Sequence, residues 1–159
     1  MTDSHATLID LILCDFDGVM TDNRVLVLEN GTEAVRCNRA DGLGCDLLRA
    51  ANIPLEIVST ETNRVVAERA KKLQVKVAHG VTDKADLVTN LIKEYALTAD
   101  RVMFIGNDIN DLSAMEIVGW PVAPADGHPD IRAIARYVTV ARGGEGVVRE
   151  IADFILKGQ

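Results

Sequence analysis

The sequence has few cysteines and no long apolar run. Its three cysteines are an odd number, and no pair has metal-site spacing. We therefore expect reduced, mostly packing thiols rather than a disulfide framework or a zinc site. No apolar run approaches membrane-spanning length. The opening residues, MTDSHATLID, have no basic region before a long apolar stretch, so we predict no signal peptide and a cytoplasmic location.

Positive charge is also scarce. The chain has 17 lysines and arginines against 24 aspartates and glutamates, which gives a net charge of −7. Nucleic-acid binders draw most of their affinity from cations on phosphates, so we expect no nucleic-acid partner. An anionic ligand would need local positive charge that outweighs the negative electrostatic field of the whole protein. The 48% hydrophobic content is that of a globular chain, and we predict a single domain over residues 1–159.

Short apolar segments alternate with amphipathic ones along the chain. LIDLILC, PLEIVS and RVMFIG predict buried strands, and VKVAHG predicts a short strand between the last two. Helices are expected after Asp41 and Thr82 as N-caps. RVLVLENGTEAVR contains the turn pair Asn30-Gly31 and predicts a hairpin. This alternation predicts an α/β fold with a central parallel sheet and helices on both faces. In such folds ligands bind beyond the carboxyl ends of the strands.

Polar side chains follow four of the predicted strands. They are Asp15 and Asp17 after the first, Ser59, Thr60 and Glu61 after the second, Lys84 after the third, and Asn107, Asp108 and Asp111 after the fourth. Any one of them alone is compatible with a turn, a cap or a solvated charge. Lys84 lies in the first turn of a predicted helix, where the macrodipole disfavours a cation unless an anion binds there. We expect the four strand ends to form one site.

The residue types in this cluster favour phosphoryl transfer. Gathered carboxylates repel one another, so we expect a hard cation with oxygen ligands, most simply Mg²⁺. A lysine and a hydroxyl suit the remaining phosphate oxygens. One aspartate can attack phosphorus and form an aspartyl-phosphate. The second, two residues later, can protonate the leaving alcohol and then activate water.

The segments DFDGVMT and GNDINDL, with Ser59 and Lys84 between them, match in order the four motifs of the haloacid dehalogenase-like (HAD) phosphatases. With ADGLG and GGEGVVREI, the whole chain resembles the capless group of phosphatases for 3-deoxy-D-manno-octulosonate 8-phosphate and nonulosonate 9-phosphates. The resemblance implies a Rossmann-like fold with a β-hairpin flap and no cap domain. It also implies Asp15 as nucleophile, Asp17 as acid and base, and Ser59, Thr60 and Lys84 on the phosphate.

The resemblance further implies Mg²⁺ bound by Asp15, the Asp17 carbonyl and Asn107, with Asp108 and Asp111 behind them. The family usually has aspartate at position 107; an amide oxygen can still ligate, or Asp108 can compensate. Arg39, Glu61 and Arg69 are expected near the sugar acid. The eight-carbon enzymes usually carry Gly-Arg where this chain has Thr60 and Glu61, so the sequence slightly favours a nine-carbon substrate.

Other functions remain open from the sequence. A similar domain ends some acylneuraminate cytidylyltransferases, so a non-catalytic oligomerisation domain is one alternative. A signalling receiver domain is another, but it lacks the D-x-D spacing. The 41 residues between Asp17 and Ser59 leave no room for a cap. Since Val25 to Leu28 form an uninterrupted apolar strand, we expect neighbouring chains to cover the hairpin in a homotetramer.

Overall fold

The computed structural model describes residues 8–157. Its strands are β1 (Leu11–Cys14), β2 (Leu26–Val27), β3 (Glu33–Ala34), β4 (Leu55–Val58), β5 (Lys76–Ala78), β6 (Val102–Ile105), β7 (Trp120–Ala123) and β8 (Tyr137–Val138). Its helices are α1 (Arg39–Ala50), α2 (Arg64–Leu73), α3 (Lys84–Glu94), α4 (Leu112–Met115), α5 (Pro129–Ile134) and α6 (Val147–Lys157). Six strands form one sheet in the order β5-β4-β1-β6-β7-β8, and every pair is parallel. The predicted α/β class is confirmed.

The sheet is buried on both faces, as its near-continuous apolar strands require. Successive side chains of β1 point to opposite faces, so Ile12 and Cys14 join one core cluster and Leu11 and Leu13 the other. The first cluster packs under α1, α2 and α6, and the second under α3, α4 and α5. The prediction of helices on both faces is therefore confirmed.

The N-caps of two helices differ from the predicted ones. Asn38, not Asp41, caps α1, and Asp83, not Thr82, caps α3. Asp41 lies in the first turn of α1 and is buried. Its carboxylate accepts a hydrogen bond from the Arg149 backbone N–H, in the first turn of α6. Asp41 therefore serves the end of a different helix from its own.

Close packing of α1 on α6 explains why a glycine stands inside α1. A methyl group at Gly44 would lie 2.9 Å from the Arg149 Cα, nearer than real side chains approach. On the far side of α6, the Glu150 carboxylate accepts hydrogen bonds from the backbone N–H groups of Val140 and Ala141. The segment GGEGVVREI thus joins the last helix both to α1 and to the loop after β8.

The hairpin after β1 is present but stands apart from the main sheet. Between Asp17 and Ser59 the structure has only this hairpin, α1 and β4, so there is no cap domain. Each hairpin strand is two residues long, and Leu26 and Val27 are 63% and 61% exposed in the single chain. Of the helices within residues 8–157, none has the length and apolar character needed to cross a bilayer.

Candidate active site

The chain turns sharply after β1 and places Asp15 at the carboxyl edge of the sheet. The Asp15 N–H donates to Ile105 O, which continues the β1–β6 ladder by one residue. The Asp15 Oδ1 atom accepts from the Phe16 N–H at 2.7 Å, and the side chain is almost fully buried. Backbone N–H groups of Met20 and Thr21 then return to Phe16 O. Asp15 is thus held on a rigid strand end.

Thr21 is a site residue that the sequence reasoning did not single out. It is fully buried, and its hydroxyl accepts from the Gly18 N–H at 3.2 Å. The same hydroxyl lies 3.5 Å from Asp17 Oδ1 and donates toward it. Thr21 therefore orients Asp17 and closes the turn between them. The signal was available, because Thr21 is the last residue of D-x-D-G-x-x-T.

Lys84 is buried and bridges two carboxylates. Its Nζ atom lies 3.1 Å from Asp15 Oδ1 and 2.6 Å from Asp111 Oδ1. Asp111 is completely buried, and its other oxygen accepts from the Asn107 N–H at 2.9 Å. Lys84 is therefore no solvated surface charge. Two anions offset the unfavourable position of this cation at the start of α3.

Burial and charge shift the titration of these groups in a consistent pattern. Burial raises the pKa of the Asp15 carboxyl, the Asp111 charge raises it further, and Lys84 opposes both. Burial lowers the pKa of Lys84, but the two carboxylates outweigh it and the net shift is upward. The lysine thus stays charged and keeps Asp15 closer to its ionised form.

Asp17 has a different environment from Asp15. Burial raises the pKa of its carboxyl, and the charges of Glu61 and Glu33 raise it further. Glu33 belongs to the hairpin, where the Asn63 side-chain amide donates to it at 2.7 Å. This bond ties the hairpin to the start of α2. Asp15 is thus paired with a lysine, whereas the charges that most shift the pKa of Asp17 are carboxylates, and such different environments are how paired acids acquire separate roles.

Ser59 and its neighbours lie at the end of β4, next to β1 in the sheet. Ser59 is buried, and its hydroxyl accepts from the Glu61 N–H at 3.1 Å, which leaves its proton for another acceptor. Thr60 and Glu61 are exposed. The predicted hydroxyl thus stands on the strand adjacent to Asp15.

The Asn107 side chain faces Asp15 and Asp17 from the end of β6. One end of its amide lies 2.9 Å from the Asp17 backbone carbonyl oxygen and 3.1 Å from Asp15 Oδ2. Asp108 points elsewhere: its carboxylate caps the short turn Ile109–Asp111 by accepting from the Ile109 N–H. The amide of Asn107, and not the carboxylate of Asp108, therefore completes the cluster.

These oxygens suit a hard divalent cation. Among residues 8–157, no three His, Cys, Asp or Glu side chains group as a metal site. An Asp15 carboxylate oxygen, the Asp17 carbonyl oxygen and one end of the Asn107 amide, whose oxygen can ligate, nevertheless converge. Mg²⁺ prefers such oxygen donors, with one or two carboxylates, waters and a substrate phosphate. Asp15, Asp17 and Asn107 would hold it.

The residues expected at the sugar acid fall into two groups. Glu61 and Arg69 line one groove together with Thr32 of the hairpin. The Arg69 Nη2 atom donates to Asn38 O at 2.9 Å, which fixes its position. Arg39 lines a different cavity, together with Arg142. The structure thus brings Glu61 and Arg69 together and leaves Arg39 apart.

Comparison with known proteins identifies the family. The pattern of haloacid dehalogenase-like hydrolases matches residues 51–151. A curated relative, 3-deoxy-D-manno-octulosonate 8-phosphate phosphatase of Yersinia pestis, is 35% identical over 98% of this chain and 83% of its own length. The chain belongs to the haloacid dehalogenase-like hydrolases. Within them it is a member of the capless octulosonate 8-phosphate phosphatase family and a phosphoric monoester hydrolase.

Solved structures of this hydrolase family have the same architecture. A family hydrolase from Streptomyces avermitilis superposes with a TM-score of 0.92 at 46% identity, covering 95% of this chain and 87% of that one. The octulosonate 8-phosphate phosphatase of Moraxella catarrhalis superposes with a TM-score of 0.94 at 31% identity, covering 100% and 93%. That structure contains a magnesium ion, a phosphate ion and the sugar acid KDO.

Proposed function

We propose that this hydrolase removes the phosphate from a keto-deoxy sugar acid, with 3-deoxy-D-manno-octulosonate 8-phosphate as its first candidate substrate. The observation that carries the proposal is the environment of Asp15. One of its oxygens lies 3.1 Å from Lys84 Nζ, and the other faces the Asn107 amide at 3.1 Å. The curated relatives' names support the eight-carbon substrate. Thr60 and Glu61, where the resemblance implies Gly-Arg in the eight-carbon enzymes, keep a nonulosonate 9-phosphate as the second candidate.

The proposed reaction has two steps. A carboxylate oxygen of Asp15 attacks phosphorus, the bond to the sugar oxygen breaks, and Asp17 gives its proton to that leaving oxygen. Asp17 then takes a proton from water, which attacks the aspartyl-phosphate and releases phosphate. Lys84 and Ser59 hold the phosphate oxygens, and Thr60 lies beside them. When bound, Mg²⁺ offsets the repulsion between the nucleophile and the phosphate dianion.

The environments of the two aspartates support this division of roles. Burial and the Asp111 charge raise the pKa of Asp15 to about 7 against the opposing Lys84 ammonium, and a bound Mg²⁺ would lower it and favour the ionised nucleophile. Burial and the Glu61 charge raise the pKa of Asp17, which favours the protonated form that an acid catalyst needs. The Thr21 hydroxyl aims Asp17 by donating to Oδ1.

Phosphate release from a panel of sugar-acid phosphates, with Mg²⁺ and with chelator, tests the proposal. We expect the eight-carbon substrate to be preferred and Asp15→Asn to lose several orders of magnitude in kcat, because the covalent step needs the carboxylate. Asp86→Asn is the matched control, since it makes the same change on the exposed face of α3. A tenth of normal turnover in Asp15→Asn would refute the covalent mechanism. A preference for nine-carbon substrates would replace the first candidate by the second.

We also propose that the whole chain, residues 1–159, is one domain that works as a homotetramer. The apolar hairpin supports this, since Val25 and Leu28 are 50% and 46% exposed and the two residues of β2 between them are more exposed still. An isolated two-stranded ribbon is marginal in water, and pairing with neighbouring hairpins would bury it. Light scattering should give four times the chain mass, and Val27→Lys should lower it. A monomer with full activity would contradict the proposal.

A further inference from the structure

The side chain of Asn107 lies in a confined position. Its backbone is fixed on both sides, because its N–H donates to Asp111 and its carbonyl accepts from the His128 N–H at 2.7 Å. The residue is 8% exposed. A methyl group at Gly18 would lie 2.0 Å from the amide, so Gly18 leaves just enough room for it. In this confined space the two ends of the amide can still exchange places, because they are nearly equal in size.

The two orientations of the amide serve different chemistry. The end that faces the cluster meets two acceptors, the Asp17 carbonyl oxygen at 2.9 Å and Asp15 Oδ2 at 3.1 Å. With nitrogen at that end, the amide donates one hydrogen bond to each acceptor. With oxygen there and Asp15 ionised, three oxygen atoms face one another with no hydrogen between them, and a buried set of this kind requires a cation. A carboxylate at this position could only accept.

We propose that the Asn107 amide exchanges its ends when the cation binds. Without a cation its nitrogen donates to Asp15 Oδ2 and to the Asp17 carbonyl oxygen. With a cation its oxygen becomes the third ligand. The inference rests on the proposed function only in placing Mg²⁺ at these oxygens. It follows that the asparagine stabilises the cation-free protein and weakens Mg²⁺ binding, because the hydrogen bonds must be given up and the amide carries no charge.

The substitution Asn107→Asp separates these two effects, because it changes them in opposite directions. In chelator at pH 8 it removes two hydrogen bonds and adds a repelling anion, so Tm should fall by roughly 5 °C or more. In Mg²⁺ the added charge should tighten binding by at least about tenfold, measured by calorimetry on the substrate-free protein. The matched control is Asn110→Asp, which adds the same charge at an exposed position three residues later. It should change neither quantity appreciably.

The amide itself provides a second readout. Its two side-chain N–H signals, assigned by their absence in Asn107→Asp, should be protected from exchange in chelator and should shift and lose protection on titration with Mg²⁺. The proposal would be overturned if Asn107→Asp were as stable as the wild type in chelator, or if Mg²⁺ left the amide signals unchanged. These measurements use no substrate. Loss of the proposed phosphatase function with the amide response intact would therefore refute only the function, and the reverse result only this inference.

Discussion

Replacing Lys84 by methionine should destabilise the protein strongly, because the lysine is the buried partner of two buried carboxylates. Its side chain is 1% exposed and those of Asp15 and Asp111 are 7% and 0% exposed. Removing one partner of a buried ion pair costs about 3–5 kcal/mol, since the remaining charge stays desolvated. At roughly 2–4 °C per kcal/mol for a chain of this size, Lys84→Met should lower Tm by about 6–20 °C.

A second substitution tests whether the uncompensated charge is the cause. Asp111→Asn in the Lys84→Met background removes one of the two unpaired anions, while the amide oxygen can still accept from the Asn107 N–H. The double variant should recover roughly half of the lost stability. It should recover no phosphatase activity, because the phosphate-binding lysine is still missing. A double-mutant cycle from urea unfolding at fixed protein concentration gives the coupling directly.

The pH dependence of the Lys84→Met deficit provides a further check. Without the lysine the pKa of Asp15 rises further, since the group that opposed its upward shift is gone. A carboxyl with a raised folded-state pKa destabilises the protein as pH rises, so the deficit should be largest above neutral pH and shrink toward pH 5. A cost below about 1 kcal/mol, or an equal cost of Asp111→Asn in both backgrounds, would refute the buried-bridge reasoning.

Three further predictions concern other parts of the site and its support. Asp17→Asn should slow hydrolysis of alkyl phosphates by about 10²–10⁴-fold and of 4-nitrophenyl phosphate much less, because nitrophenolate leaves without a proton; equal losses would rule out acid catalysis. Gly18→Ala should weaken Mg²⁺ binding and lower the stability of the protein, because the added methyl group would meet the Asn107 amide. The control Gly31→Ala is at a φ of +81° with open space around it, so it should show only the backbone strain of about 1–2 kcal/mol. If both glycine variants behave alike in calorimetry, contact with the amide is not the cause. Burial raises the pKa of Asp41 to about 6, so its contribution to the stability of the wild type should fall as the pH rises from about 4 to about 6. Over that range the free energy of unfolding of Asp41→Asn, measured in urea, should rise by up to about 3 kcal/mol relative to the wild type. A difference that does not change with pH would contradict this.

The sequence by itself determined the layers of the fold and the order of the site residues. The spacing of apolar residues along a strand or helix predicts which side chains are buried, and this spacing can be read from a short stretch of sequence. The buried stripe of Val66, Ala70 and Leu73 on α2 is an example. Because the carboxyl ends of parallel strands lie at one edge of the sheet, the polar residues after each strand could be assigned to one place from the sequence alone. The capless architecture followed from a count of 41 residues.

The tertiary structure decided which partners those residues have. Lys84 meets Asp111, and Asp41 meets Arg149 across 108 positions of sequence, and no local pattern encodes such pairings. Neighbouring polar residues are equally ambiguous in the sequence, because a one-residue shift turns a side chain to another face. Only the tertiary structure shows that Asn107 faces Asp15 while Asp108 caps a turn. Gly18, on another loop, leaves the space that the Asn107 amide occupies, and that space is a property of the packed molecule alone.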